Sequence, residues 1–112
     1  MAINSKQKGK RGELEFCQEM KKYGIECRRT VQYNGKAKEG EGDVIGLKGI
    51  RAEIKRVERL NLYDAIGQAK RDARQDELPA VFHRKNRSEW LVTMRLDDFM
   101  QIYREYELAR GD

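Results

Sequence analysis

The sequence predicts an α/β or α+β domain with a central mixed β-sheet flanked by helices, in the order αβββαββα. Apolar residues recur at helical spacing in some segments, and alternating or β-branched runs mark others as strands. Gly- or Asn-bearing steps separate them. The length of 112 residues fits one hydrophobic core. Residues 1–112 therefore read as a single domain, with basic residues 1–11 expected as a flexible tail.

Gly12 precedes the first helix, expected over 13–23, where Phe16, Cys17, Met20 and Tyr23 form one apolar stripe and Gly24 is placed as the stop. Glu13 begins that stripe. A carboxylate at a helix N-terminus has a plain explanation in the helix dipole, and a functional one if it leans toward a site. Residues 26–32 read as a strand and 33–42, rich in Gly and charge, as a loop ordered by binding or simply solvated. Residues 43–47 and 51–57 read as further strands around a Lys48-Gly49 turn. Asn61 is a good N-cap for a second helix whose stripe is Leu62, Ala65, Ile66, Ala69 and Ala73, with Gln68 on its border. Lys70, Arg71 and Arg74 form a basic flank. Pro79 opens a strand at 80–84, another follows at 90–94, and a last helix starts at Asp97 or Asp98. Phe99, Ile102, Tyr103 and Tyr106 give that helix a stripe to pack on the sheet or on a partner chain. Phe82, Trp90 and Phe99 are expected in the core.

Lys and Arg number 24 against 19 Asp and Glu, for a net charge of +5. The pI of about 9.3 suits a polyanionic partner such as nucleic acid, although solvated basic surfaces are common. With only 38% hydrophobic residues a monomer's core is modest, so burial at a homodimer interface would help. Cys17 and Cys27 lack a CxxC spacing and read as free thiols in a reducing compartment; no structural zinc is expected. No apolar run approaches the ~18 residues of a membrane span. A soluble, cytoplasmic protein is expected, without a membrane partner.

The chemistry-bearing pattern is Asp43 followed by Glu53-Ile54-Lys55. Side chains two apart on a strand share a face, ~6.6 Å apart, so Glu53 and Lys55 stand side by side while Ile54 points into a core. Asp43 joins them if the hairpin pairs odd with odd positions, for example Asp43 opposite Lys55. A loop over Lys48-Gly49-Ile50 gives that register; a strict Lys48-Gly49 turn sets Asp43 opposite Ile54 and breaks it. Two carboxylates and an ammonium so placed are the minimal equipment for metal-assisted phosphodiester cleavage. The plain structural reading is a cross-strand ion pair on a solvated strand.

Glu13 on a helix, then Gly42-Asp43-Val44, Glu53-Ile54-Lys55 and a helix bearing Gln68 together resemble the restriction-endonuclease-like, or PD-(D/E)XK, nuclease superfamily. The layout is similar to archaeal and phage-type Holliday junction resolvases. The stretches 53–62, 81–84 and 89–93 resemble small phage and prophage proteins classed as resolvases or nucleases. The likeness covers roughly residues 9 to 104, and the order and spacing of its motifs are more specific than any one of them. It implies a Mg²⁺-dependent endonuclease, with Mn²⁺ able to substitute, acting on branched DNA as a homodimer. Asp43 and Glu53 would ligate the metal, with the Ile54 carbonyl as a third ligand and Glu13 acting directly or through water. Lys55 would orient or deprotonate the attacking water or offset phosphate charge, and Gln68 would support the site. Lys10, Arg11, Lys36, Lys38, Arg56, Lys70, Arg71 and Arg74 would meet phosphates. Gly42 stands where the signature has proline, which loosens the strand without removing a ligand. The alternatives are a flap or duplex nuclease of the same superfamily and a nucleic-acid-binding module that does not cleave.

Overall fold

A computed structural model describes residues 5–30, 32–33, 36–37 and 44–111, with side chains at 9–30 and 44–111. Helix α1 spans Ser5–Met20 and tightens into a 3-10 turn, Lys21–Tyr23, before Gly24 ends it with a left-handed φ of 74°. The expected tail is therefore corrected: from Ser5 onward the basic segment is helical. Its Lys, Gln and Arg residues are good helix formers, and Gly12 does not interrupt it. The glycine serves a close approach instead, since a Cβ there would lie 2.7 Å from Arg56 Cβ. Tyr23, expected on the apolar stripe, is exposed, because the 3-10 turn breaks the 3.6-residue spacing.

Strand β1 (Arg28–Arg29) pairs antiparallel with β4 (Val44–Ile45), placing Arg29 opposite Val44. Between them β2 (Gln32–Tyr33) and β3 (Lys36–Ala37) form a short antiparallel ladder that begins at the last residue of the expected 26–32 strand and runs into the stretch expected to be loop. Three strands make the main sheet: β5 (Ile50–Arg56), β6 (Leu78–Arg84) and β7 (Leu91–Thr93). Helix α2 (Leu62–Asp72) links β5 to β6, which run parallel with Glu53 opposite Val81 and Lys55 opposite His83. β7 is antiparallel to β6, with His83 opposite Leu91. Helix α3 (Leu96–Arg110) closes the order. The result is a mixed α/β domain, and no helix among the described residues is long and apolar enough to cross a membrane.

The expected β4–β5 hairpin is corrected. The Ile50 N–H donates to Leu47 O at 3.1 Å, so the turn is a tight one centred on Lys48-Gly49, with Gly49 at φ 81°. The looser Lys48-Gly49-Ile50 loop is not adopted. Among the described residues β4 takes β1 as its ladder partner. Gly46 supplies the physical reason, since its φ of 134° bends the chain where it meets Glu26-Cys27. A Cβ at Gly46 would lie 2.3 Å from Glu26 O, so only glycine admits this contact. The odd-to-odd β4–β5 ladder is thus not formed among the described residues, and Asp43 itself lies outside them.

Both faces of the main sheet are covered. Ala52 and Ile54 pack with Phe16 and Cys17 of α1 and with Val44. Phe82 and Trp90 join them, with ring centroids 4.8 and 5.4 Å from Phe16. On the opposite face Val81 packs with Ala65 and Ala69 of α2, flanked by Leu60 and Ile66. Phe99 departs from its expected core position: every α3 residue from Phe99 onward is exposed.

Candidate active site

Alternation along β5 sends Ala52 and Ile54 to the α1 side and Arg51, Glu53 and Lys55 to the α2 side. Ile54 is thus where the strand pattern predicts, in the apolar core. Glu53 is 2% exposed, an unusual burial for a carboxylate, and its Oε1 lies 3.5 Å from Lys55 Nζ. Lys55 Nζ also lies 3.5 Å from Gln68 Oε1. Gln68 reaches it because α2 is registered by its cap, where Asn61 Oδ1 accepts the Asp64 N–H at 3.1 Å. With Ala65 and Ala69 turned into the sheet, Gln68 on their border meets Lys55. Glu53, Lys55 and Gln68 are therefore brought together as the sequence predicts.

The β5–β6 register adds His83, opposite Lys55 on the same face. Its Nε2 shares a 2.8 Å hydrogen bond with Thr93 Oγ1, and burial pushes the imidazole below its usual pKa. A neutral His83 leaves Lys55 as the nearer fixed positive charge. His83 lies within the strand expected at 80–84; the pairing that sets it beside Lys55 depends on register, which a single strand's pattern does not encode. Past His83 a cleft of about 670 Å³ opens, lined in part by Glu58, Leu60, Leu62, Arg84 and Leu91.

Glu13 is also buried, one turn ahead of Phe16 on α1, and accepts a 2.9 Å hydrogen bond from Arg29 Nε. Arg29 thereby anchors it beside β1. Glu13 comes from the α1 layer and Glu53 faces α2, so the two carboxylates can face one cation only around the β5 edge. Asp43 and Lys38 lie outside the described residues, as does the side chain of Lys36; Val44, next to Asp43 in sequence, is buried. Among the described residues no three His, Cys, Asp or Glu side chains gather as a metal-holding group. The donors Glu53, Glu13 and the Ile54 carbonyl are hard oxygens, a chemistry that fits Mg²⁺ or Mn²⁺.

The cationic residues divide into two sets. Lys10 and Arg11 on α1, Lys70 and Arg71 on α2 and Arg74 beyond it are exposed. Arg56 is instead tied into an ion-pair network: its Nε lies 3.3 Å from Glu15 Oε1, and a terminal nitrogen donates to Asn86 Oδ1 at 2.8 Å. Glu58 approaches Arg56 at 3.5 Å, and Arg84 pairs with the same Glu15. This arginine is already matched by carboxylates, which weakens it as a phosphate contact.

Arg51, which the sequence reading did not single out, is almost fully buried and donates to Glu77 Oε1 from Nε at 3.0 Å and from a terminal nitrogen at 2.8 Å. Burial raises the Glu77 pKa, but hydrogen bonds from the Arg74 amide and from Arg51 outweigh it and hold the carboxyl below its usual range. An arginine on a strand otherwise reading as charged and apolar alternation gave no signal of this burial. Comparison of the chain with protein-family models, curated proteins and solved structures finds no match in any of the three.

Proposed function

We propose that this protein is a metal-dependent DNA endonuclease of the PD-(D/E)XK kind, cutting branched DNA in the manner of a Holliday junction resolvase. The observation that carries the reading is a carboxylate 2% exposed on strand β5, with Lys55 and Gln68 converging beside it. Keeping an ionised group there costs several kcal/mol unless charges and hydrogen bonds offset it, so plain strand surface is a poor account of Glu53. The parallel β5–β6 pair with its α2 crossover provides a rigid frame for such a site.

In this reading Glu53, the Ile54 carbonyl and Glu13 would hold a divalent ion, and Asp43, outside the described residues, would join them by a route other than a β4–β5 ladder. The ion supplies positive charge against the scissile phosphate and acidifies water bound to it. Lys55 acts as a positioned point charge near the attacked phosphate, and Gln68 fixes the direction of its ammonium. Neutral His83 borders the same face without competing for the phosphate. The exposed cations on α1 and α2 hold the DNA backbone, a contact that depends on salt and not on sequence. A resolvase cuts two opposed strands, so two copies serve one junction.

The test is cleavage of labelled four-way junction, flap and linear duplex with Mg²⁺, with Mn²⁺ and with chelator. Junctions cut in Mg²⁺ and spared in chelator, with loss of cutting in Glu53→Gln, Lys55→Met and Asp43→Asn, are the expected results. Equal cutting of linear duplex replaces the resolvase with a general duplex nuclease. Binding without cutting under both metals leaves a nucleic-acid-binding module.

A further inference from the structure

We infer that Cys17 and Cys27 form a redox-modifiable pair, which a small anionic disulfide such as oxidised glutathione converts to an intramolecular disulfide in the folded chain. The inference stands on the placement of the two sulfurs and does not use the nuclease reading. Both cysteines are free thiols. Their Sγ atoms lie 3.2 Å apart, within about 1.2 Å of a disulfide bond length of about 2.05 Å.

Backbone contacts hold the two residues there. Cys17 packs in the apolar core with Phe16, Val44, Ala52 and Ile54, and Cys27 packs against the same cluster. Between them the chain reverses through hydrogen bonds from the Gly24 N–H to Lys21 O and from the Ile25 N–H to Met20 O, both 3.1 Å. On its other side Cys27 meets Gly46, where an added Cβ would lie 2.8 Å from Cys27 Cα. The Cys27 backbone is thus held between α1 and β4, and the remaining gap is one that side-chain rotation and small backbone shifts close. The bond ties α1 to β1 next to where Arg29 holds Glu13 at 2.9 Å.

The two thiols differ in access. Cys17 is 8% exposed, whereas Cys27 is half-buried and lines an open cleft of about 610 Å³ with Lys21, Glu26, Arg28, Gly46 and Lys48. A cleft of this size admits a small-molecule disulfide. Three exposed cations against one exposed carboxylate give it a positive rim, which favours an anionic reagent. Cys27 is therefore the thiol that meets the reagent, and Cys17 the one that resolves the product. The Cys27 thiolate attacks one sulfur of oxidised glutathione, breaking its S–S bond, forming a mixed disulfide and releasing one glutathione thiolate. The Cys17 thiolate then attacks the Cys27 sulfur, forming the Cys17–Cys27 bond and releasing the second glutathione. The two cysteines lose two electrons and two protons, and both pass to the reagent, which leaves as two thiols. Burial and the neighbouring Cys17 push the Cys27 thiol up to about 12, so thiolate is scarce at neutral pH and exchange is slow there.

The test is incubation of the folded chain with about 5 mM oxidised glutathione at about pH 8.5, followed by an acid quench and mass spectrometry. The parent chain should lose the mass of two hydrogens, show neither thiol open to alkylation after denaturation, and yield Cys17 and Cys27 in linked peptides. The oxidised chain should unfold about 5 °C or more above the reduced one, because the bond restricts the unfolded state. Cys17→Ser should stop with glutathione on Cys27, while Cys27→Ser should stay unmodified because Cys17 is buried. Cystamine, a cationic disulfide, should react at least ~5-fold more slowly than oxidised glutathione at low salt. Two free thiols in the parent, persistence of the mixed disulfide, linkage between chains, or an oxidised chain that unfolds below the reduced one overturns the pair as a modification site. Cystamine reacting as fast as oxidised glutathione overturns the anionic reagent. The measurements on the parent chain decide the proposal without any variant.

Discussion

The two faces of β5 are built from neighbouring residues and are buried almost equally, yet they solve opposite problems. On the α1 side Ala52 and Ile54 meet Phe16 in an apolar contact that costs nothing to desolvate and repays burial directly. On the α2 side Arg51 and Glu53 are as buried as any core residue, and each carries a charge that must be matched. Arg51 is matched by Glu77, through two hydrogen bonds to one carboxylate oxygen, which is a complete local solution at the N-terminal end of the strand. Glu53 approaches Lys55 at 3.5 Å, and Lys55 in turn lies 3.5 Å from the Gln68 side chain of α2. One strand thus separates an apolar face from a face of buried charged groups.

That contrast can be broken by substitution. Phe16→Ala removes the side chain that joins α1 to both Phe82 and Trp90 and should cost about 3–5 kcal/mol in urea unfolding. Glu53→Gln keeps the shape and removes the buried charge, so it should change stability by less than about 1 kcal/mol in either direction while abolishing any cleavage. A loss for Glu53→Gln as large as that for Phe16→Ala would make the polar face structural and erase the distinction. Glu77→Ala strands the Arg51 guanidinium and should cost about 2 kcal/mol, measured in the same way. Gly12→Ala forces a Cβ to within 2.7 Å of Arg56 Cβ and should cost about 1–2 kcal/mol in the same unfolding measurement.

The smallest effects are in the pH dependence. The folded-state pKa of His83 is depressed, so the unfolded chain binds its proton first as pH falls below about 6.5 and stability declines there. His83→Gln should flatten that acid limb. Cys27 behaves in the opposite sense: burial first, then its hydrogen bond and charge interaction with Cys17, push its thiol up to about 12. The two sulfurs lie 3.2 Å apart. Its contribution is full below pH 9 and is lost as pH rises toward 12, so Cys27→Ala should flatten the alkaline limb of the unfolding profile.

Periodicity made much of this legible. The Ala65, Ile66 and Ala69 part of the α2 stripe, the Asn61 cap, the Gly24 stop and the opposed faces of Ile54 and Glu53 follow from local spacing and have their expected places, whereas Leu62 is exposed and Ala73 falls just past the helix. The meeting of Lys55 with Gln68 was expected only from the family resemblance, since local spacing placed Gln68 no further than the border of the α2 stripe. The hairpin was not legible. Whether Lys48-Gly49 closes as a tight turn, and whether β4 then follows β5 or β1, depends on the approach of Gly46 to Glu26-Cys27, a contact between segments distant in sequence. The helical reach of α1 back to Ser5 and the exposure of the α3 stripe were equally hidden, since a stripe announces an apolar face without naming what covers it.

By itself, then, the amino-acid sequence determined the presence of the three helices and the main-sheet strands, their charge, and which side chains on β5 share a face, because those depend on bonds and spacings within a few residues. The tertiary structure alone decided which strand borders which, that His83 stands beside Lys55, that Arg51 is held by Glu77, and that Phe99 and its neighbours on α3 are exposed. Those outcomes depend on register and on packing between distant segments, where a glycine's missing Cβ or one buried charge outweighs local preference.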